Sequence, residues 1–480
     1  MADSQTPDIC VIGGGASGLA VARRARALGA EVVLVEPGPL GGEALHAASI
    51  PARALGAAAR RAHYLRTAGQ FGMAAMEPRI SARGVFDYVH EVIGGLAAAV
   101  SPEQIRAAGI RLIEARGRFV DRRTLEAGGR QIRARRFVIA TGSRAPAPAI
   151  AGLKDVPYFT TASIFDNTRK LTHLVVIGGG AAGLEMAQAL RRLGSAVTVV
   201  EPGALLAGHD PELAEIVTRQ LAAEGVALLP HTEVTKVLPR SLGIGVAIRT
   251  GEREQVLDAS HVLVAGDREP CLDGLDLEAA GVTRQAADAT RLLLDGRLRT
   301  SNRRIYAVGA AARSGGGPQH VPVGHEADIV VRHALFRQAG RLDMGLIPSA
   351  AFTDPEIAEI GMSEERLSDR NSRSFRVIRL SFAENDRALT ERQAYGLAKV
   401  VVGPGGKLLG AGIAGTGAAE MISLFGLAIA NGMGLAHFRK FAAPYPTLAG
   451  VAEALAEAEL PEIAGQAEPG WRLALGRMLP

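Results

Sequence analysis

Two glycine-rich segments carry the clearest chemical signal in this sequence. Residues 8–18 (DICVIGGGASG) and 173–183 (HLVVIGGGAAG) each join an apolar run to a G-x-G-x-x-G turn and then to an alanine-rich stretch. Such glycines allow a tight turn, close approach of a pyrophosphate and close packing of helix on strand, while amides at the helix N-terminus bind the phosphates. One such motif is weak evidence, but two in complete context indicate two nucleotide sites.

An acidic residue follows each motif at the end of the next apolar run. EVVLVE ends at Glu36, and AVTVVE ends at Glu201. A carboxylate in this place can accept hydrogen bonds from both ribose hydroxyls, and it would repel a 2′-phosphate. No arginine follows Glu201 before Arg219, so we expect NADH to be preferred over NADPH.

Each motif requires its own strand–turn–helix–strand unit, so the sequence predicts two Rossmann-like nucleotide-binding domains. The chain has 480 residues, of which 48% are apolar, enough for several cored domains. Its net charge of +5 comes from arginines scattered among acids. Because it has no basic run with interleaved aromatics, we expect no nucleic-acid partner.

The only cysteines are Cys10 and Cys271, too few for a zinc cluster or a disulfide framework, and we expect no metal site. Cys10 lies in an apolar strand pattern, which predicts a buried thiol. The apolar stretch 421–438 is interrupted by Asn431 and three glycines, so it favours a buried helix over a membrane span. The N-terminus has no secretory signal, so we expect a cytoplasmic protein.

Several further segments carry a family resemblance. They are GGEALHAASIPARAL (41–55), FVIATGS (137–143), RIYAVGAAA (304–312) and AAFTDPEIAEIGMSEE (350–365). Together with the glycine motifs they resemble the class I pyridine nucleotide–disulfide oxidoreductases, the family of dihydrolipoamide dehydrogenase, glutathione reductase and mercuric reductase. The resemblance implies an α/β fold with an FAD domain, an NAD domain and a C-terminal α+β dimerisation domain, assembled as a homodimer.

The implied domains are an FAD-binding domain in two parts (1–150 and 276–345), an NAD-binding domain (151–275), a dimerisation domain (346–465) and a C-terminal tail (466–480). The cofactor-binding residues implied by the family motifs are Gly13, Gly15, Ser17, Gly18, Glu36, Gly41, Gly42, Arg53, Gly117, Ala140, Thr141, Gly142, Gly178, Gly180, Gly183, Glu185, Glu201, Gly309 and Ala310. The tail, with Trp471, could contact a membrane or partner, but we favour a short helix packed on its own subunit.

The segment 41–55 differs from the family at the two positions that do its chemistry. The family frame is Gly-Gly-x-Cys-(four residues)-Cys-x-Pro, and here Ala44 and Ser49 take the cysteine positions. A thiolate is the nucleophile in disulfide exchange, and neither a methyl group nor a hydroxyl replaces it. The sequence therefore predicts a relative of the disulfide reductases without disulfide chemistry.

A second departure lies near the C-terminus, where FAAPYPTLAG (441–450) resembles the family's His-x-His-Pro-Thr-x-x-Glu. Tyr445 replaces the catalytic histidine and Gly450 replaces the glutamate that orients it. An unperturbed tyrosine, with a pKa near 10, cannot shuttle a proton near neutrality as histidine does. Tyr445 is either a space-filling residue or a hydrogen-bond donor to an acceptor carbonyl, and we expect it to complete the flavin site of the partner subunit.

Arg53 stands where the family has a lysine beside the flavin, and Glu185 stands where that lysine has its partner. A fixed cation there would stabilise negative charge on reduced flavin. The alternative is an ordinary salt bridge between domains.

Two other positions bear on the expected flavin site. His46 lies between the two vacant cysteine positions. It is either a proton donor near the flavin or a histidine on the surface of the helix. Ala310 replaces the family aspartate that hydrogen-bonds the ribityl chain of the flavin. Losing that charged hydrogen bond costs about 1.5–3 kcal/mol, and residues 315–317 with Gln319 are candidates to compensate.

The resulting hypothesis is an FAD-dependent NADH oxidoreductase that passes electrons from flavin directly to a quinone-like acceptor or oxygen. The main alternative is a catalytically degenerate FAD- and NAD-binding protein that acts as a redox sensor or scaffold. A third is a quinone reductase held at the membrane by its tail. The fold alone does not separate them.

Overall fold

The computed structural model describes residues 6–146, 148–313, 323–369 and 374–459. The chain divides into two compact units. The first comprises residues 1–208 and 221–343, and the second comprises residues 209–220 and 344–480.

The strands are β1 (Ile9–Ile12), β2 (Val32–Val35), β3 (Arg111–Ile113), β4 (Gly117–Asp121), β5 (Thr124–Ala127), β6 (Arg130–Ile132), β7 (Arg136–Ile139), β8 (Ser143–Arg144), β9 (Phe159–Thr160), β10 (His173–Ile177), β11 (Ala196–Val200), β12 (Ala227–Leu229), β13 (Thr232–Pro239), β14 (Ile244–Thr250), β15 (Arg253–Ala259), β16 (His261–Val264), β17 (Glu269–Pro270), β18 (Ile305–Ala307), β19 (Ser349–Ala351), β20 (Glu356–Gly361), β21 (Arg376–Ser381), β22 (Leu397–Val402) and β23 (Leu408–Gly415).

The α-helices are α1 (Ala16–Ala27), α2 (Gly42–His46), α3 (Ser49–Thr67), α4 (Ala82–Ala98), α5 (Pro102–Ala107), α6 (Ala181–Arg192), α7 (Pro211–Ala223), α8 (Val323–Phe336), α9 (Glu364–Asp369), α10 (Asp386–Thr390), α11 (Ala418–Ala430) and α12 (Val451–Ala458).

The first unit begins with a parallel sheet of order β18-β7-β1-β2-β3. Its central strand β1 is buried along its whole length, as expected for a parallel strand covered on both faces. On one face β1 packs with α1 and α8, and on the other it packs with Phe119 and Leu125 of the antiparallel sheet β4-β5-β6. Strand β18 joins this sheet although it lies far along the chain, so two chain segments build the first nucleotide-binding fold.

A second parallel sheet, of order β12-β11-β10-β16-β9, lies in the same unit. The antiparallel sheet β13-β14-β15 packs against it through Val237, Val246 and Ile248, which form one core with Val175 and Val262. Around the second glycine turn the elements come in the predicted order, with strand β10 before the turn and helix α6 and strand β11 after it. The repeat seen in the sequence is therefore a repeat of structure.

The second unit contains the antiparallel sheet β19-β20-β23-β22-β21. Helices α11 and α12 cover it, and Phe382, Ile413 and Phe425 lie in the shared core. The predicted α/β class, with two Rossmann-like domains and a C-terminal α+β domain, is confirmed. The domain boundaries given above stay a prediction.

The apolar stretch 421–438 is not one continuous helix. Helix α11 ends at Ala430, and a separate 3-10 helix spans Leu435–Lys440. Met421, Ile422 and Phe425 are buried in the core of the second unit. The predicted buried helix is therefore confirmed within α11, whereas its continuation to residue 438 is wrong. Within the described residues, no helix combines the length and the hydrophobicity that a membrane span requires. The C-terminal tail with Trp471 lies outside the described residues.

Candidate functional site

Both glycine turns open onto one cavity of about 1140 Å³ in the first unit. Residues of the first turn, of the second turn and of the loop after β18 share its wall. The predicted site residues that line it are Gly15, Ser17, Gly41, Arg53, Ala140, Gly142, Gly178, Gly180, Glu185, Glu201, Gly309 and Ala310. The structure thus brings together residues that lie up to about three hundred positions apart in the sequence.

The three glycines of the first turn have different structural tasks. Gly13 adopts a φ of +109°, a conformation that strains any residue with a Cβ. A Cβ on Gly18 would overlap the carbonyl oxygen of Gly13, whereas a Cβ on Gly15 would meet nothing closer than 4.0 Å. Gly15 therefore leaves room for a ligand at the start of α1. The second turn repeats this arrangement at Gly178, Gly180 and Gly183.

The acid that follows each motif is held in place by the turn itself. Glu36 accepts hydrogen bonds from the Gly14 amide (2.6 Å) and the Gly38 amide (2.7 Å). Glu201 accepts them from the Gly179 amide (2.6 Å) and the Gly203 amide (2.9 Å). These contacts orient each carboxylate at the end of its strand, and Glu201 lines the cavity.

Arg53 of α3 and Glu185 of α6 form an ion pair at the wall of the cavity. The glutamate side chain is 7% exposed, whereas the arginine side chain is 31% exposed. A carboxylate this buried needs a charged partner, because an unpaired buried charge is strongly destabilising. The expected pair is present, and its role toward a flavin stays a prediction.

The two positions vacated by cysteine also line the cavity. Ala44 belongs to α2 and Ser49 begins α3. Nearby, Arg268 forms an ion pair with Glu43 and donates from Nε to the Ser143 hydroxyl at 3.0 Å. The wall here offers a methyl group, a hydroxyl and a compensated charge pair.

Neither cysteine of the chain lines the large cavity. Cys10 is fully buried in β1, and burial raises the pKa of its thiol to about 12. Cys271 is partly buried, and burial raises the pKa of its thiol as well. The predicted burial of Cys10 is confirmed.

The loop after β18 contains a carboxylate contact that the sequence analysis missed. Glu326 of α8 is 1% exposed, accepts a hydrogen bond from the Gly309 amide at 2.6 Å and pairs with Arg313 at 2.6 Å. Arg313 also lines the cavity. Helix α8 carries two acids, Glu326 and Asp328, and no pattern in its sequence marks Glu326 as the buried one. The residues first considered as compensation for Ala310, 315–317 and Gln319, lie outside the described residues.

Some predicted residues do not line the cavity. Gly117 begins β4, and a Cβ there would press on Leu125 and Val35. The Nε2 atom of His46 lies 2.9 Å from the Leu40 carbonyl oxygen, and the ring faces a separate cavity of about 290 Å³. A Cβ on Gly13, Gly18 or Gly183 would overlap neighbouring backbone atoms, so these glycines allow close packing within the turns. Gly42 begins α2, and a Cβ there would lie 2.9 Å from the Gly15 Cα.

The residues present fit dinucleotides at both turns. Gly15 and Gly180 leave space where a phosphate would approach, and the amides that follow them begin α1 and α6. The buried hydroxyl of Thr141, beside the cavity residue Gly142, has no hydrogen-bond partner among the described residues. A bound cofactor group would satisfy such an atom.

Comparison with known proteins identifies the chain. Residues 7–327 match the pyridine nucleotide-disulphide oxidoreductase family, and residues 347–456 match the dimerisation domain of that family. The chain belongs to this family. Its members are flavin-dependent oxidoreductases that bind FAD and NAD(P), and the dimerisation domain supports a homodimer.

Similar proteins cover nearly the whole chain. A mercuric reductase from Streptomyces lividans is 32% identical over 450 residues, which are 92% of this chain and 94% of the relative. A dihydrolipoyl dehydrogenase from Staphylococcus aureus is 30% identical over 457 residues, which are 92% of this chain and 94% of the relative.

Solved structures show the same fold. LpdA from Mycobacterium tuberculosis has a TM-score of 0.83 at 24% identity, with 94% of this chain and 98% of that chain covered. The HOCl-induced flavoprotein disulfide reductase RclA from Escherichia coli has a TM-score of 0.80 at 22% identity, with 94% and 98% covered.

Tyr445 lies in the second unit, which contains the family's dimerisation domain. Its side chain is 84% exposed, and its hydroxyl donates a hydrogen bond to Asp386 Oδ2 at 2.6 Å. This hydrogen bond raises the pKa of Tyr445. The phenol is therefore neutral at neutral pH. Because it is exposed, it does not act as a space-filling residue inside its own chain.

Proposed function

We propose that this family member oxidises NADH through FAD and passes the electrons directly to a small non-disulfide acceptor. The observation that supports this proposal is the composition of the cavity wall. Ala44 and Ser49 line the cavity that both glycine turns share, and no thiol is placed there. Since a thiolate is required for disulfide exchange, a wall without one supports direct transfer from the flavin.

The first turn, with Glu36 and the loop after β18, would hold FAD, and the second turn, with Glu201, would hold NADH. FAD supplies the hydride chemistry when it is bound. The chain contributes the binding amides, the two ribose-binding carboxylates and the shape of the cavity. The fixed orientation of Glu201 supports NADH over NADPH, because a 2′-phosphate would meet its negative charge.

Arg53 would stabilise negative charge on the reduced cofactor. Its guanidinium stays protonated in any protein environment, and Glu185 restricts it to one position at the cavity wall. Preorganised charge of this kind is effective because it needs no rearrangement during the reaction. Arg53 is thus the proposed catalytic cation, and Glu185 is its positioning residue.

The acceptor would be a quinone-like molecule or oxygen, since neither needs a thiol relay. We further propose that Tyr445 of one protomer completes the acceptor site of its partner, in a homodimer. A phenol that is 84% exposed in the single chain supports a role at a surface that another molecule covers. A cytoplasmic location remains an expectation from the sequence.

One observation favours the alternative of a sensor or scaffold. Ala310 lines the cavity where the family has an aspartate, and a weakened flavin site would leave the fold without its redox group. The Glu326–Arg313 ion pair argues against this alternative, because it places charged groups at the same loop and holds the loop in position.

The test uses the purified protein and anaerobic NADH. We expect a yellow protein that NADH bleaches, a quinone or oxygen that restores the colour, and no turnover of lipoamide, glutathione disulfide or mercuric ion. A yellow protein that NADH leaves unchanged would support the sensor, and a colourless protein that does not take up FAD would support the scaffold. Robust turnover of lipoamide by contaminant-free protein would refute direct transfer.

A further inference from the structure

The loop that carries Tyr445 is attached at two adjacent residues, Asp386 at the start of α10 and Asn385 at its N-cap. Tyr445 donates its hydroxyl proton to Asp386 Oδ2 at 2.6 Å. Asn385 Nδ2 donates to the Thr447 carbonyl oxygen at 3.2 Å, while Asn385 Oδ1 caps α10 by accepting from the Ala388 amide at 3.1 Å. The two contacts bind the loop on either side of Pro446.

The same turn lies beside the position from which the family's orienting glutamate is missing. A Cβ placed on Gly450 would lie 4.0 Å from Asn385 Nδ2. The orienting carboxylate is therefore absent from residue 450, but another carboxylate, Asp386, reaches the residue that replaced the histidine. The two partners lie 59 positions apart in sequence, so no local motif reveals them.

The direction of this hydrogen bond decides what Tyr445 can recognise. A phenol has one proton, and here the Asp386 carboxyl group accepts it, so that proton is not available to a second acceptor. The phenolic oxygen keeps its lone pairs, and because Tyr445 is 84% exposed, a ligand can reach it as a hydrogen-bond acceptor. Releasing the proton would place a phenolate against a carboxylate, so the group serves neither as a base nor as a proton source.

We propose that Asp386 is the positioning residue of Tyr445, and that the pair presents a hydrogen-bond acceptor to the molecule that takes electrons from the flavin. The favoured molecule is then a quinone that carries a hydroxyl or amide donor, rather than a quinone with carbonyl oxygens alone. This differs from both roles considered from the sequence, a space-filling residue and a hydrogen-bond donor to an acceptor carbonyl. The inference rests on the proposed function, because it assumes flavin-dependent reduction of an acceptor.

The test compares a methylnaphthoquinone with its hydroxymethyl analogue as acceptors for the FAD-loaded full chain. The wild type should show a KM about two- to tenfold lower for the hydroxymethyl compound, the range that one neutral hydrogen bond gives. Tyr445→Phe should remove this difference by raising the KM of the hydroxymethyl compound alone. Asp386→Ala should reduce it, since the phenol is then free to rotate and donate. Tyr88→Phe is the control, because Tyr88 is a partly exposed tyrosine on α4 in the other unit.

A second readout does not depend on turnover. Burial raises the pKa of Tyr306 and the hydrogen bond to Asp386 raises that of Tyr445, so ultraviolet difference titration should show two tyrosines with a raised pKa in the wild type. Tyr445→Phe and Asp386→Ala should leave only one, and Asp386→Asn should lower the pKa of Tyr445 while an oxygen acceptor is kept. Equal KM values for the two quinones in the wild type, or a preference that survives Tyr445→Phe, would overturn the proposal. An unchanged preference and titration in Asp386→Ala would overturn the role of Asp386. Failure of NADH to bleach the flavin in these preparations would instead refute the proposed function.

Discussion

At the scale of single residues, the Arg53–Glu185 pair separates an enzyme from a scaffold. Arg53→Met removes the cation, keeps a long side chain and leaves a nearly buried carboxylate without its partner. We expect a lower flavin reduction potential and reduction by NADH slowed about tenfold, equivalent to about 1.4 kcal/mol, with FAD still bound. Redox titration and stopped-flow absorbance measure both effects.

Two further variants at this pair control for simple loss of packing. Arg53→Lys restores a cation without the second hydrogen bond of the guanidinium, so its effect should be mild. Glu185→Gln leaves the cation in place and should slow reduction less than Arg53→Met. If Arg53→Met changes neither the potential nor the rate, the pair is only a salt bridge between elements.

Glu326 is the second residue with a specific expected effect. Its carboxylate accepts from the Gly309 amide and pairs with Arg313 at the cavity. Glu326→Gln should lower FAD affinity by about tenfold, since a hydrogen bond to a charged group contributes about 1.5–3 kcal/mol. The measurement is FAD binding by fluorescence, together with the difference in melting temperature between loaded and empty protein.

The matched control is Glu224→Gln. Glu224 is a buried carboxylate that pairs with Arg192 at 2.6 Å, but it does not line the cavity. It should destabilise loaded and empty protein alike. Equal FAD affinity in wild type and Glu326→Gln would show that the loop after β18 does not depend on this carboxylate.

At the scale of elements, the turn at the start of α6 predicts nucleotide preference. The Gly179 and Gly203 amides hold Glu201 at the end of β11, so the carboxylate cannot readily move away from a 2′-phosphate. NADH should reduce the flavin much faster than NADPH, and Glu201→Arg should shift the preference toward NADPH. Similar stopped-flow rates for both nucleotides in the wild type would mean that Glu201 does not face the ribose.

Sequence patterns predicted these elements well because their signals are local. The strand–turn–helix order around Gly13 and Gly178, and the acids that follow, depend on residues within a few dozen positions. The Glu326–Arg313 and Tyr445–Asp386 contacts were not predicted, because each joins segments whose proximity is set by tertiary packing. His46 lines the separate small cavity and not the large one, which agrees with the helix-surface alternative given from the sequence.

At the scale of the whole molecule, the family's dimerisation domain supports a homodimer. A closed two-fold assembly would make its interface self-complementary. Because the chain has a mass of 50.0 kDa, light scattering should give about 100 kDa at micromolar concentration. A mass near that of the single chain would exclude a site completed by Tyr445 of the partner.

The central claim is that electrons pass through the flavin without a thiol pair, and anaerobic titration with NADH tests it most directly. A protein with flavin alone accepts one hydride per FAD, so about one equivalent of NADH should bleach the flavin fully. The number of thiols that a thiol reagent detects in unfolded protein should be the same before and after reduction. A requirement for a second equivalent of NADH, or two new thiols after the first, would contradict the account.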